Sequence, residues 1–119
     1  MALHSAKAFD RYIAGLKGAV ISEQWEAHVA KIAGKVFALC SNDGSQIVFK
    51  VSEMSFEGLT SIAGIGQAAY FAKRQWVAVE KGAALSEAEL KAYVAASYAL
   101  IAGKLTRKLR AELGLELAP

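Results

Sequence analysis

The chain has 119 residues, of which 55% are hydrophobic and 21% are charged, and its formal net charge is +3. This length suits one domain over residues 1–119, and the mixture of apolar and charged residues excludes a disordered chain. A single cysteine, Cys40, excludes an internal disulfide and a multi-cysteine zinc site, and it favours a reducing compartment. Because there is no signal-peptide pattern and no apolar run near the ~20 residues that cross a bilayer, we expect a cytoplasmic protein without membrane contact.

The N-terminal segment predicts an amphipathic helix, because its apolar residues recur at helical spacing between an N-cap at Ser5 and a stop at Gly18. Alternating, strand-like segments follow this helix. The strongest hairpin signal is Asn42-Asp43-Gly44, since these residues tolerate the positive φ of tight turns. The pattern predicts an antiparallel meander of three strands, at 27–32, 35–40 and 46–51.

Helix-start signals mark three later segments. Ser52 is the predicted N-cap of a short helix that runs to about Thr60. Ser86 and Glu89 form an S-x-x-E capping box, which predicts the start of a longer helix. Thr106 is the predicted N-cap of a last short helix.

A second strand pair is predicted between these helices, at 67–72 and 75–80. The residues Lys73-Arg74 form the predicted tight turn of this hairpin, and 63–66 form a loop before it. The element order is therefore α-β-β-β-α-β-β-α, with a short C-terminal helix. Runs of strands with hairpin-sized connections favour an α+β fold with an antiparallel sheet over a parallel α/β fold.

The residue types that carry catalysis do not form a recognisable motif. The apolar neighbours of Cys40 are typical of an inert buried thiol, and the two histidines, His4 and His28, lie far apart in the sequence. Two distant histidines without carboxylates at ligand spacing predict no metal site. We therefore expect no enzymatic activity and no cofactor. A remote alternative is a small-molecule binder or enzyme built around the loop Gly64-Ile65-Gly66. Residues 64–69, GIGQAA, match the loose dinucleotide fingerprint G-x-G-x-x-A but lack a strand before them and a helix after them.

Positive charge is concentrated in the later part of the chain. From Tyr70 onward there are eight Lys or Arg residues and five Glu residues, whereas residues 1–69 contain six of each sign. Cations on hairpin tips and on a helix suit contacts with phosphate backbones, because such contacts need positive charge on side chains that protrude from the protein. The alternative is a solvated face that keeps an apolar chain soluble. The candidate nucleic-acid-binding residues, with Trp76 bracing a hairpin, are Lys31, Lys35, Lys73, Arg74, Trp76, Lys104, Arg107, Lys108 and Arg110.

Three short motifs, in matching order, resemble the MmcQ/YjbR family of small bacterial proteins. They are KIAGKVFA at 31–38, KRQWVAV at 73–79, and Ser97-Tyr98 followed by the basic segment 104–110. The resemblance extends from about Phe9 to Leu113. It implies an α-β3-α-β2-α fold like that of secretion chaperones, and a DNA-binding protein whose hairpins act as two wings.

These observations lead to two competing hypotheses. We expect a protein that binds DNA weakly, with little sequence preference, through contacts to phosphates. The alternative is a protein-interaction module with no nucleic-acid role, in which the sheet or its exposed edge receives a partner peptide.

Overall fold

The computed structural model describes residues 2–115. Within that range, six strands form one antiparallel sheet, and apolar side chains from all four helices pack into its main core. This arrangement confirms the α+β class with an antiparallel sheet. The elements are α1 (Ala6–Ala14), β1 (Ala19–Gln24), β2 (Ala27–Ile32), β3 (Lys35–Ser41), β4 (Gln46–Lys50), α2 (Glu53–Thr60), β5 (Ile65–Gln67), β6 (Trp76–Glu80), α3 (Glu87–Ala102) and α4 (Arg107–Glu112).

All four helices begin at the predicted N-caps. The side chains of Ser5, Ser52 and Thr106 each accept a hydrogen bond from a backbone N–H three residues later. Ser86 and Glu89 form the complete capping box, with both reciprocal hydrogen bonds present. Local side chains satisfy the free N–H groups of a helix start, so these positions depend little on the rest of the fold. No helix in residues 2–115 has the length and apolar character needed to span a membrane.

The sheet has one strand more than the sequence predicts. Strand β1 pairs along its whole length with β2, from Ala19 opposite Ile32 to Gln24 opposite Ala27. None of its residues is buried, because it lies at the edge of the sheet, so it lacks a clear buried–exposed alternation. Its hairpin also turns through Trp25 and Glu26, which both have positive φ. Neither residue type signals such a turn.

The second predicted hairpin is wrong in its details. Strand β5 covers only Ile65–Gln67, so part of the predicted loop 63–66 is strand and most of the predicted strand 67–72 is not. The connection to β6 is a longer loop, 68–75, than predicted, although Lys73-Arg74 do form a turn within it, closed by a 3.3 Å hydrogen bond from the N–H of Gln75 to the carbonyl of Ala72. The carboxamide of Gln67 donates to loop carbonyls, including that of Ala68 at 2.9 Å, and accepts from the Arg74 N–H at 2.9 Å. These bonds hold the loop in a non-strand conformation.

The two faces of the sheet bury different apolar clusters. Alternate residues of β4, such as Ile47 and Phe49, point towards the helices and join the main core. Val48 points to the opposite face, where it packs with Trp76 and other residues beneath loop 68–75. Central strands are therefore buried on both faces, and loop 68–75 provides the cover on the face without helices.

Candidate nucleic-acid interface

Strand direction brings separate basic segments to one end of the sheet. Strand β2 finishes and β3 begins at the turn Ala33-Gly34, while Lys50, the last residue of β4, pairs with Trp76, the first residue of β6. Loop 68–75 leaves β5 at this same end. We call this the basic end of the sheet: the turn 33–34, the end of β4, loop 68–75 and the segment 104–113.

Three lysines meet in one groove at the basic end. A cavity of about 470 Å³ is lined by Lys50, Lys73 and Lys104, together with Arg74 and other residues. Contact with Lys104, and then partial burial, lowers the pKa of Lys50 below its usual value. Lys50 was not among the predicted site residues, because nothing local distinguishes it from any other lysine that ends a strand. The pairing of β4 with β6 places Lys50 in this groove, and the chain that follows α3 brings Lys104 beside it.

Arg74 is held by an internal network instead of projecting freely. Its Nε lies 3.0 Å from Oε1 of Glu53 and its Nη2 lies 2.5 Å from Oε1 of Glu57, while its guanidinium centre is 5.8 Å from the ring centroid of Phe56. Hydrogen bonds that Arg74 donates to Glu57 and Glu53 raise the pKa of Arg74. The two glutamates neutralise the charge of Arg74 locally, and the network ties loop 68–75 to α2.

Trp76 lies in the small cluster on the face without helices. It is buried, and its ring centroid is 4.4 Å from that of Phe71. The stack connects the first residue of β6 to the middle of loop 68–75. Trp76 therefore packs under loop 68–75, which carries Lys73, and supports that loop.

The two basic residues of the β2–β3 hairpin differ in their surroundings. Lys35 begins β3 and is exposed at the basic end. Lys31 is half-buried, and its ammonium donates a 2.8 Å hydrogen bond to Oε1 of Gln24. Since Gln24 is the last residue of β1, at the far end of that strand, the Lys31 side chain points away from the basic end.

The segment 104–113 crosses the basic end. It starts at Lys104 in the groove beside β4, and the side chain of Leu113 lies next to Gly18, just before β1. On α4, Arg107 and Lys108 are exposed. Arg110 is half-buried, and its Nε is buried without a hydrogen-bond partner among residues 2–115.

More of the described acidic residues lie at the far end of the sheet than at the basic end. The described acids at the basic end are Glu53 and Glu57, which bind Arg74, and Glu112 on α4. Five others lie in the turns and helix start at the far end of the sheet, at Glu26, Asp43, Glu80, Glu87 and Glu89. The described acids are therefore more numerous at the far end of the sheet, where Lys7 and Lys81 also lie, than at the basic end.

The groups considered for catalysis are engaged or buried. Cys40 has no exposed surface, and burial, followed by the charges of Asp10 and Asp43, raises its pKa to about 11. The imidazole Nδ1 of His28 lies 2.8 Å from a carboxylate oxygen of Asp10, and Nε2 of His4 lies 2.8 Å from the carbonyl of Val79. Among residues 2–115 no three His, Cys, Asp or Glu side chains are grouped to hold a metal ion.

The segment Gly64-Ile65-Gly66 follows a helix and opens β5. A dinucleotide fingerprint requires a strand before these glycines and a helix N-terminus after them, where free N–H groups meet the pyrophosphate. Gly64 has a φ of +90°, and a β-carbon there would lie 3.0 Å from that of Ala83. The glycine therefore serves a turn that packs closely against the segment before α3.

The fold and the charge distribution define a small α+β domain with a six-stranded antiparallel sheet and a basic end. The profile of the YjbR family matches residues 14–100, so the chain belongs to the YjbR family. Among curated proteins there is no match.

Two solved structures share this fold. The Deinococcus radiodurans protein DR2400, with the domain DUF419, has a TM-score of 0.84 and 22% identity, over 94% of this chain and 89% of that chain. A protein from Pseudomonas syringae has a TM-score of 0.66 and 20% identity, over 79% of this chain and 96% of that chain. At these identities the likeness concerns the fold alone.

Proposed function

We propose that this protein is a cytoplasmic, non-enzymatic DNA-binding protein that contacts the phosphate backbone through the basic end of its sheet. Association through phosphate charges gives weak, sequence-independent binding, with dissociation constants on the order of 10⁻⁴–10⁻⁶ M at physiological salt. Membership of the YjbR family and the grouping of cations at one end support this function.

The observation that carries the proposal is the convergence of three lysines from separate segments in one groove. Lys50 ends β4, Lys73 lies in loop 68–75, and Lys104 follows α3. Like charges placed together are unfavourable unless an anion is present to offset their repulsion. Phosphate groups spaced along a strand suit such a cluster, with further contacts from the exposed Lys35, Arg107 and Lys108.

The remaining predicted residues take different roles in this proposal. Arg74 holds loop 68–75 against α2, and Trp76 supports the same loop from below. Lys31 points towards Gln24, away from the basic end, and the Nε atom of Arg110 is buried, so both contribute positive potential more than direct contact. Direct contact therefore falls to Lys35, Lys50, Lys73, Lys104, Arg107 and Lys108.

A salt titration with a labelled duplex of mixed sequence tests the proposal. The logarithm of the association constant should fall linearly with the logarithm of salt concentration, by about 0.9 for each phosphate neutralised. Lys73→Gln/Lys104→Gln should reduce the magnitude of that slope by up to roughly 2 × 0.9.

The matched control is Lys7→Gln/Lys81→Gln, which removes the same charge from two exposed lysines at the opposite end. Its slope should stay close to that of the unchanged protein, because only long-range potential is altered. Failure to bind duplex at low salt would remove the proposal. Equal effects of the two double variants would show that net charge, not the basic end, governs binding.

A second candidate function, binding of a protein partner, is favoured by one observation. On the sheet face without helices, Trp25 and Tyr70 border an apolar groove of about 580 Å³, floored by Leu39, Val48 and Phe71. Trp25 is 63% exposed and Tyr70 is fully exposed. If this groove holds a partner peptide, Trp25→Ser/Tyr70→Ser should abolish capture of that partner, whereas Lys73→Gln/Lys104→Gln should not.

A further inference from the structure

The basic groove continues into an apolar one. A second cavity of about 390 Å³ shares four lining residues with the first, namely Lys50, Val51, Ser52 and Leu100. The two therefore form one composite groove between the start of α2 and the last turns of α3. Its basic half is lined by Lys50, Lys73 and Lys104, and its apolar half by Tyr93, Ala96, Ala99 and Leu100.

None of the three lysines in the basic half forms a salt bridge with an acid that the structure describes. Within residues 2–115, the other charged groups that line it are Glu53 and Arg74, which form a salt bridge with each other. Lys50 and Lys104 contact one another closely enough to lower the pKa of Lys50. An anion placed between them would relieve this repulsion, which makes the basic half suited to a phosphate group.

The apolar half offers a surface for a flat, largely apolar group. The small side chains of Ala96 and Ala99 leave space on α3, and Leu100 is 40% exposed beside them. Tyr93 is held by stacking on Phe49, with ring centroids 5.8 Å apart and ring planes 18° apart. The hydroxyls of Ser52 and Ser55 border this half and can pair with polar atoms on the edge of a ring.

We infer that the composite groove binds one nucleotide, with its phosphate among the three lysines and its base against the apolar half. This inference rests on the proposed nucleic-acid function and specifies that the ligand bound at the basic end is a single nucleotide. A nucleotide joins an anionic group to a flat base through a short spacer, which matches a basic cavity continuous with an apolar one. A simple acyl chain would not use the hydroxyls that border the apolar half.

Calorimetric titration at low salt compares three probes: deoxyadenosine 5′-monophosphate, inorganic phosphate and deoxyadenosine. We expect the nucleotide to bind at least about tenfold more tightly than either part alone, because only it fills both halves. In the unchanged protein, the nucleotide should shift the amide NMR signals of Ala96 and Ala99, which line the apolar half alone, whereas phosphate should not. Equal affinities for nucleotide and phosphate, or no shift at these residues, would overturn the inference.

Ala99→Trp fills the apolar half without changing charge. It should reduce the affinity for the nucleotide to that for phosphate and leave phosphate binding unchanged. Ala88→Trp is the matched control, because Ala88 is an exposed alanine of the same helix, outside the groove and about three turns earlier. If both variants keep the full preference for the nucleotide, the groove does not hold the base.

Duplex binding, measured on the same proteins, separates this inference from the proposed function. Loss of the nucleotide preference with intact salt-dependent duplex binding would overturn the groove inference alone. A retained preference without duplex binding would overturn the backbone proposal alone. A 5′-phosphorylated oligonucleotide that competes with deoxyadenosine 5′-monophosphate would identify a strand end as the source of the nucleotide, and lack of competition would identify the free mononucleotide.

Discussion

The buried hydroxyl of Ser97 accepts a 2.9 Å hydrogen bond from the backbone N–H of Lys50. The same hydroxyl donates a 2.6 Å bond to the carbonyl of Phe37. Since Ala38 pairs with Phe49, continued pairing of β3 with β4 would bring Phe37 opposite Lys50. Helix α3 thus inserts a side chain where the two strands separate. This contact fixes the position of Lys50 at the mouth of the groove.

Replacement of Ser97 by alanine should therefore destabilise the fold. Two backbone groups, one of them buried, would lose their partner, at a cost of about 1–3 kcal/mol in the free energy of unfolding. Urea denaturation followed by circular dichroism measures this change. Ser61→Ala is the control, because Ser61 is an exposed hydroxyl at the end of α2, and its loss should change stability by less than about 0.5 kcal/mol. Similar stabilities for the two variants would contradict the bridging role of Ser97.

Removal of the two glutamates that bind Arg74 should strengthen polyanion binding. Glu53→Gln/Glu57→Gln deletes two negative charges beside the basic groove and leaves Arg74 free to contact a phosphate. The salt-dependence slope for duplex binding should steepen by up to about 0.9, the value for one more phosphate contact. Glu26→Gln/Glu80→Gln makes the same charge change at the far end and should leave the slope unchanged. Weaker binding by the first variant would mean that the order of loop 68–75 matters more than the charge of Arg74.

The thiol of Cys40 should be unreactive in the native protein. With a pKa of about 11 and no exposed surface, only about one molecule in a thousand carries the thiolate at pH 8. Reaction with a chromogenic disulfide reagent should be very slow in buffer and fast in guanidinium chloride. Rapid reaction in buffer would contradict the burial of this side chain.

The same raised pKa of Cys40 predicts a loss of stability in alkali. The unfolded chain releases the thiol proton near pH 9, whereas the folded chain retains it to about pH 11, so the folded state binds more protons in that interval. The free energy of unfolding should therefore fall as pH rises from about 9 to about 11. Since Tyr12, Tyr98 and Lys50 also have shifted pKa values, the test is the difference from Cys40→Ala. The free energy of unfolding of Cys40→Ala should fall less steeply with pH than that of the unchanged protein.

Two glycines with similar backbone conformations should respond differently to alanine. Gly44 and Gly34 have φ values of +75° and +77°, and an alanine at either position costs roughly 1–2 kcal/mol for the left-handed conformation. At Gly44, the new β-carbon would also lie 2.6 Å from the carbonyl oxygen of His4, whereas nothing lies within 4 Å at Gly34. Gly44→Ala should therefore destabilise the protein clearly more than Gly34→Ala. Equal melting temperatures would contradict the close approach of the β3–β4 turn to His4.

Some elements could be predicted because their causes are local. The N-caps Ser5, Ser52, Ser86 and Thr106 act within one turn of their own helix, so the pattern of neighbours suffices. Strand β4 was predicted closely, because the turn signal Asn42-Asp43-Gly44 directly precedes it. Its apolar residues 47–49 are buried on both faces of the sheet.

Other elements could not be predicted because their causes lie elsewhere in the chain. Strand β1 is ordered mainly by pairing with β2, and it buries none of its own residues. Loop 68–75 departs from a strand because Gln67, Glu53 and Glu57 bind groups within it. Neither set of contacts leaves a signal in the local sequence.

By itself, the sequence determined the α+β class, the helix starts, the central strands and the presence of excess cations after Tyr70. Each of these follows from side chains within a few positions of one another, or from composition alone. Only the tertiary structure decided which cations meet. It brought Lys50 beside Lys104, bound Arg74 to two glutamates and turned Lys31 towards Gln24. These outcomes depend on strand order and direction, which bring residues such as Lys50 and Lys104 together from separate elements, and no local pattern in the sequence encodes that placement.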